Sequence, residues 1–243
     1  MKRICIIVCM LLGLSQSWAQ NEKNLVVDAN AEVRDMRGFN AIEVSGAIDL
    51  YISQGHTEAV AVSASSDEVR SRIRTENRSG TLHIYFDARG LNWKVWGNHK
   101  MKAYVTYQQL GKLEASGACN VKATDPIRQA ELKMEMSGAS DFSGEVAVTK
   151  LRLGASGASN IRVSGKTVDL VVEASGACTI KAYELVSDNC RVDASGASNI
   201  RITVNKELNA VASGGSTIFY KGTGLIRDIS SSGGAAIKKR TDD

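Results

Sequence analysis

A short motif, Ser-Gly followed by Ala or Gly, returns at Ser116-Gly117, Ser137-Gly138, Ser156-Gly157, Ser175-Gly176, Ser195-Gly196, Ser213-Gly214 and Ser232-Gly233. A near-fixed period of about 19 residues marks stacked structural repeats, in which each unit buries its apolar face only against its neighbours. An outlying copy stands at Ser45-Gly46-Ala47-Ile48-Asp49-Leu50.

Within each copy the period is two. From Leu151 to Val163, the residues Leu151, Leu153, Ala155, Gly157, Ser159, Ile161 and Val163 share one face, and Arg152, Ser156, Ala158, Asn160 and Arg162 share the other. Such alternation is the signature of half-buried strands. Strand units of about 19 residues predict an all-β parallel β-helix, or solenoid, each turn pairing with the turns above and below. The repeated Gly marks a bend or a close approach at a corner, and Pro126 falls between copies, where a missing N–H does least harm. The inward set carries no charge, as a narrow interior requires.

Aligning the copies builds columns. The small inward column reads Cys119, Ser140, Ser159, Cys178, Ser198, Ser216 and Ala235. Cys190 falls in the apolar column of Leu132, Leu151, Leu170 and Leu208. The three cysteines therefore read as small buried hydrophobes. Cys119 and Cys178 stand three turns apart, about 14 Å, which is out of disulfide reach. A Cys178–Cys190 bridge across one turn is the less favoured alternative.

Among outward columns, the sixth residue after the motif Ser gives Lys122, Ser143, Arg162, Lys181, Arg201, Phe219 and Lys238. The fourth gives Asn120, Asp141, Asn160, Thr179, Asn199, Thr217 and Ala236. The second before it gives Glu114, Glu135, Gly154, Glu173, Asp193, Val211 and Ser230. Such columns arise in any repeat and keep a strand face solvated. The basic one (Lys122, Arg162, Lys181, Arg201) also reads as a track for an acidic polymer.

The opening residues read as a secretory signal: Lys2 and Arg3, an apolar stretch over residues 4–14, then Ser17-Trp18-Ala19, with cleavage expected after Ala19. The stretch is shorter than the ~20 residues a membrane-spanning helix needs, and Cys5 and Cys9 sit too early for lipid attachment. Residues 1–19 are thus a signal peptide, 20–35 a lead-in, 36–240 the β-helix and 241–243 a tail. Export to the periplasm, the outer-membrane surface or the extracellular space is expected. Against 30 Lys and Arg the chain has 26 Asp and Glu, and Lys2 and Arg3 leave with the signal. So balanced a chain lacks the field that holds nucleic acid.

Residues 36–110 keep strand alternation but lose the period, and are expected to form irregular, longer turns that cap the regular ones at 111–240. Ser65 or Ser66 opens a helix of one or two turns within 66–76, and Asn77-Arg78-Ser79-Gly80 reads as a turn. The segment 91–100 holds Trp93, Lys94, Trp96, His99 and Lys100. Tryptophan beside polar groups can stack on sugar rings; equally, it can cover an apolar flank.

Arg37-Gly38-Phe39, Ile42-Glu43-Val44-Ser45-Gly46, Tyr51-Ile52-Ser53-Gln54-Gly55, Gly80-Thr81-Leu82, the Ser-Gly-Ala run, Tyr220-Lys221-Gly222 and the stretch from Ser232-Gly233 to Lys239 resemble the bacterial family described as putative auto-transporter adhesin, head GIN domain. The resemblance covers residues 36–240. It implies a right-handed parallel β-helix, exported by Gram-negative, Bacteroidetes-like bacteria, with no catalytic residues to carry over.

No catalytic constellation is visible. His56, His83 and His99 lack metal-binding spacing, and neither a Gly-x-Ser-x-Gly elbow nor a phosphate loop occurs. The expected function is an exported, non-catalytic surface or periplasmic binding module without a cofactor, its partner a glycan or a cell-surface protein, met at Trp93, Lys94, Trp96, His99 and Lys100. The alternatives are a polysaccharide lyase or hydrolase, by analogy of fold, and a purely structural envelope protein.

Overall fold

The computed structural model describes residues 28–90 and 99–240. Its strands, numbered in chain order, join one continuous sheet wound into a β-solenoid of about 7 turns. The regular body begins at β8 (Lys112–Gly117) and β9 (Asn120–Ala123) and continues through β10 (Ile127–Met136), β11 (Asp141–Ala155), β12 (Asn160–Ala174), β13 (Thr179–Ala194) and β14 (Asn199–Ala212). It closes with β15 (Thr217–Lys221), β16 (Leu225–Ser231) and β17 (Ala236–Lys239). Neighbours pair in parallel, in chain order, with aligned copies opposite one another: Leu132, Leu151, Leu170, Cys190 and Leu208 form one unbroken register.

Alternation decides what is inside. Leu151, Leu153, Ala155, Ser159, Ile161 and Val163 are all buried. Gly157 is the exception to the inward set read from the sequence. It is exposed, with φ +73, at a corner between β11 and β12. There the backbones of successive turns touch: Ala158 donates its N–H to the Gly138 carbonyl at 2.7 Å, and a Cβ at position 157 would lie 2.4 Å from that same oxygen. Ala139 bonds to Gly117 and Ala177 to Gly157 in the same way. The repeated Gly is therefore fixed by contact between turns as well as by its φ.

The small inward column also supplies donors. Ser159, Ser198 and Ser216 donate their hydroxyls to the carbonyls of Ser156, Ser195 and Ser213 at 2.9, 3.0 and 2.8 Å. The thiols of Cys119 and Cys178 contact the equivalent carbonyls of Ser116 and Ser175 at 3.3 and 3.1 Å. A small side chain with one polar hydrogen can donate to the corner carbonyl three residues before it, which Ala235 in the same column cannot do. That shared hydrogen is what lets cysteine alternate with serine here. All three described cysteines are free, and burial raises the pKa of the Cys119 and Cys190 thiols.

The unequal repeat lengths are absorbed away from the corners. Register slips occur between Arg162 and Gly165, and between Ala182 and Val186. The strand segments just after the motif, from Asn160 to Arg162 and Thr179 to Lys181, stay in step.

Residues 32–107 stack out of chain order. The chain enters through β1 (Glu32–Arg34), makes a turn with β2 (Ala41–Gly46) and β3 (Ile48–Gln54), then leaves to form β4 (Ala59–Ala64), α1 (Asp67–Ser71) and β5 (Ile73–Arg78). It returns as β6 (Thr81–Phe86) and β7 (Met101–Tyr107) on one side of the β2–β3 turn. The regular body then continues from the other side, so β2 lies between β6 and β8, and β3 between β7 and β9. Beyond β6 and β7 the sheet turns antiparallel: β5 adds to β6, β4 to β7, and β1 to β4. Ser66 caps α1, accepting from the Val69 N–H, and the Val69 side chain is buried. Ser79 and Gly80, both with positive φ, join β5 to β6 in the two-residue turn that Asn77-Arg78-Ser79-Gly80 foretold.

At the far end β16 pairs with β14 and β17 with β15. Leu225 and Ile226 are 69% and 51% exposed. A bulge at Arg227 and the cations Lys238 and Lys239 interrupt these edges, which is how strand edges resist stray pairing.

Candidate functional site

The strand segments that follow each corner form one face of the solenoid. Only their outward residues reach solvent, two per strand. One column runs Asp49, Asn120, Asp141, Asn160, Thr179 and Asn199. Beside it run Tyr104, Tyr51, Lys122, Ser143, Arg162, Lys181 and Arg201. Between the columns lies a groove of about 530 Å³ that crosses β3, β9, β11, β12 and β13. At ~4.8 Å per strand it is ~19 Å long, and its floor is sheet.

The polar groups of the groove pair within their own column. Asn120 donates its amide to Asp49 at 2.8 Å, and Asn160 donates to Asp141 at 2.8 Å. Lys122, Arg162, Lys181 and Arg201 make no ion pair among the described residues. Lysines elsewhere do: Lys112 meets Glu114 at 2.8 Å, Lys133 meets Glu135 at 3.1 Å, and Lys150 meets Glu131 at 2.8 Å. At the groove's end the rings of Tyr51 and Tyr104 stack with centroids 5.3 Å apart. Tyr104 donates its hydroxyl to Asp28 at 2.8 Å, and burial together with that bond raises the phenol's pKa.

The acidic column lies on the face before the corner. Glu43, Glu114 and Glu135 stack there, then Gly154, then Glu173 and Asp193. Gly154 leaves a notch of about 340 Å³ between Glu135 and Glu173. His83 Nδ1 lies 3.2 Å from Glu43. Among the described residues no group of three His, Cys, Asp or Glu is placed to hold a metal ion.

Of the residues singled out in the sequence, Lys122, Arg162, Lys181 and Arg201 come together in one column. His99 hydrogen-bonds Ser65 at 3.0 Å, and Lys100 is exposed just before β7. Trp93, Lys94 and Trp96 lie outside the described residues. The tyrosine pair was missed. Its signal was present in half: Tyr51 is the sixth residue after Ser45, the position of Lys122 in the next turn. Tyr104 carries no motif and joins through the out-of-order turn.

Family comparison agrees with this architecture. The sequence matches the family described as "Putative auto-transporter adhesin, head GIN domain" over residues 38–224, and the chain belongs to that family. Among curated proteins none matches. Among solved structures, a putative adhesin from Bacteroides fragilis superposes with a TM-score of 0.77 at 20% identity, covering 86% of this chain and 96% of that one. A putative lipid binding protein from Parabacteroides distasonis gives 0.66 at 20% identity, covering 88% and 98%. A putative adhesin from Parabacteroides merdae gives 0.60 at 18% identity, covering 87% and 95%. At these identities the likeness is one of fold. Among the described residues no helix is long and apolar enough to cross a membrane.

Proposed function

We propose that the protein is an exported, non-catalytic binding module of the cell envelope or cell surface, and that its ligand lies in the groove between the amide and basic columns. The observation that carries this reading is the state of the cations. Asn120 and Asn160 hold Asp49 and Asp141 within their own column, and Lys122, Arg162 and Lys181 make no ion pair among the described residues, which leaves these cations to a ligand. A rigid sheet floor holds them in fixed register, which lowers the ordering cost of binding. The adhesin descriptions of the family and of two structural neighbours support a role in binding. Trp93, Lys94 and Trp96, with His99 and Lys100, precede the strand that carries Tyr104, and we assign them a second, stacking contact with the ligand.

A glycan and surface-protein array tests the reading. Asn160→Trp should block the groove and abolish capture, whereas Lys166→Trp on another face should leave it intact. Trp93→Ala and Trp96→Ala should weaken capture without lowering the melting temperature. Capture indifferent to Asn160→Trp would remove the groove from consideration, and turnover of an acidic polysaccharide by the purified protein would overturn the non-catalytic assignment.

A further inference from the structure

The groove does not treat its two sides alike. On one side Asp49, Asn120, Asp141, Asn160 and Thr179 offer both acceptors and donors, one residue per strand. On the other side cations alternate first with a hydroxyl and then run on, Lys122, Ser143, Arg162 and Lys181, with Arg201 next in the column just past the groove. Lys122 and Arg162 are two strands apart, ~9.6 Å, while Arg162, Lys181 and Arg201 follow at ~4.8 Å. Both columns run along the solenoid axis, so a ligand using them must cross the strands. One lying along a strand would meet only two outward residues before the corner.

A ligand that fits both sides carries hydroxyls against the amide column and anionic groups against the cations. A polymer such as nucleic acid or polyphosphate, charged on every unit, would bring phosphates against Asp49 and Asp141, whereas a polysaccharide can turn its hydroxyls to that column and its acid groups to the cations. Asp49 and Asp141 accept hydrogen bonds from sugar hydroxyls. Membrane docking calls for apolar side chains around the cations, yet the exposed Leu225, Ile226 and Ile229 lie at the far end of the solenoid. A pyranose in an extended polysaccharide advances by about one strand spacing. The stacked Tyr51 and Tyr104 rings offer a sugar face a platform at the end of the track.

We infer that the groove takes a linear acidic polysaccharide, laid along the solenoid axis with its carboxylates or sulfates on Lys122, Arg162, Lys181 and Arg201. This rests on the groove being the binding site, and the test separates the two claims. The probes are an oligogalacturonate long enough to cover five strands, its fully methyl-esterified form, and vesicles containing anionic phospholipid. Binding to the full-length mature protein is measured calorimetrically at low and at physiological salt. The acid should bind, weaken as salt rises because the screening length shrinks to ~8 Å at 0.15 M, and exceed its ester by about tenfold or more. Arg162→Gln/Lys181→Gln should weaken it by about tenfold, two exposed charge contacts being worth about that much, with no change in melting temperature. Tyr51→Ala should weaken acid and ester alike. Equal binding of acid and ester, with Tyr51→Ala weakening both, would overturn the acidic class and keep the groove. Binding unmoved by every groove variant would overturn both. No binding of the acid by the wild type, or capture of anionic vesicles in its place, would overturn the polysaccharide assignment.

Discussion

The regular turns from β8 onward and the out-of-order turns of β2, β3, β6 and β7 share one core and one sheet, yet they are built on different information. In the first, chain order and spatial order coincide, and each turn repeats the corner, the donor column and the register of the last. In the second, the turn made by β2 and β3 is sandwiched after the fact, between two later parts of the chain. Ala41 pairs with Thr81 on one side and with Lys112 on the other. The comparison teaches that a solenoid turn needs a complementary apolar face and two free strand edges above and below it, and the next segment of chain need not supply them. It also shows where repetition is strict. In the regular turns every corner keeps its glycine, whereas the sides tolerate bulges, a hairpin or a whole excursion, and in the out-of-order turns Phe86 stands where β2 has Gly46.

The largest expected effect attacks that corner. Gly157→Ala places a Cβ 2.4 Å from a backbone oxygen of the turn below and holds a residue with a side chain at φ +73. Gly38, in the out-of-order region, has nearly the same φ, +70, with nothing within 4 Å of an added Cβ. Strain alone should cost Gly38→Ala about 1–2 kcal/mol, and strain plus the backbone clash should cost Gly157→Ala about 3–5 kcal/mol. Urea denaturation followed by circular dichroism measures both. Equal losses would mean that the corner can open and that contact between turns does not fix the glycine.

The same contrast explains what the sequence disclosed. Period and alternation depend on neighbours close in register, so the parallel stacking, the leucine column with Cys190 and the burial of Cys119 and Cys178 were readable. A short helix opened by Ser65 or Ser66, of which the structure uses Ser66, and the turn ending at Ser79-Gly80 were readable because capping and positive φ are local. Two things were not. The sandwiching of β2 and β3 depends on which apolar faces meet after the long excursion between Gln54 and Thr81, and no local rule states that. In the groove, the basic column was visible by counting from the motif, but its availability was not. That depends on which side chains meet across strands, such as Asn120 with Asp49 and Asn160 with Asp141.

A smaller effect should fall on the excursion. Ser66 Oγ accepts the Val69 N–H at 3.3 Å, a long bond at the start of a five-residue helix. Ser66→Ala should cost about 0.5–1 kcal/mol. If the out-of-order end opens apart from the regular body, the loss will appear as faster amide exchange in α1 and β4, while β12 and β13 keep their protection. A matching loss of protection in β12 and β13 would show that both regions unfold as one unit, and would erase the energetic side of the comparison.

The smallest effect concerns the lead-in strand where it joins the out-of-order turn. The Asp28 carboxylate accepts from the Tyr104 hydroxyl at 2.8 Å and from the Asn30 N–H at 3.1 Å, with Lys102 at 3.8 Å. The Tyr104 bond is the largest cause of a pKa held below the ordinary 3.8 of an aspartate. A depressed carboxyl contributes stability that is present above its unfolded value and is lost as pH falls through the folded one. Tyr104 has the opposite sign. Its pKa is raised above 10.0, chiefly by burial, so its contribution is present below that value and fades as pH rises beyond it. Together they confine docking of residues 28–34 to a window from ~4 to ~10. Limited proteolysis across that range should cut the lead-in in acid and in strong base while leaving the regular turns intact. Asp28→Asn should flatten the acid limb, because the side chain no longer titrates, and Tyr104→Phe should flatten the alkaline one. An acid limb that survives in Asp28→Asn would place the titrating group elsewhere, and would tie the lead-in to the solenoid by the β1–β4 pairing instead.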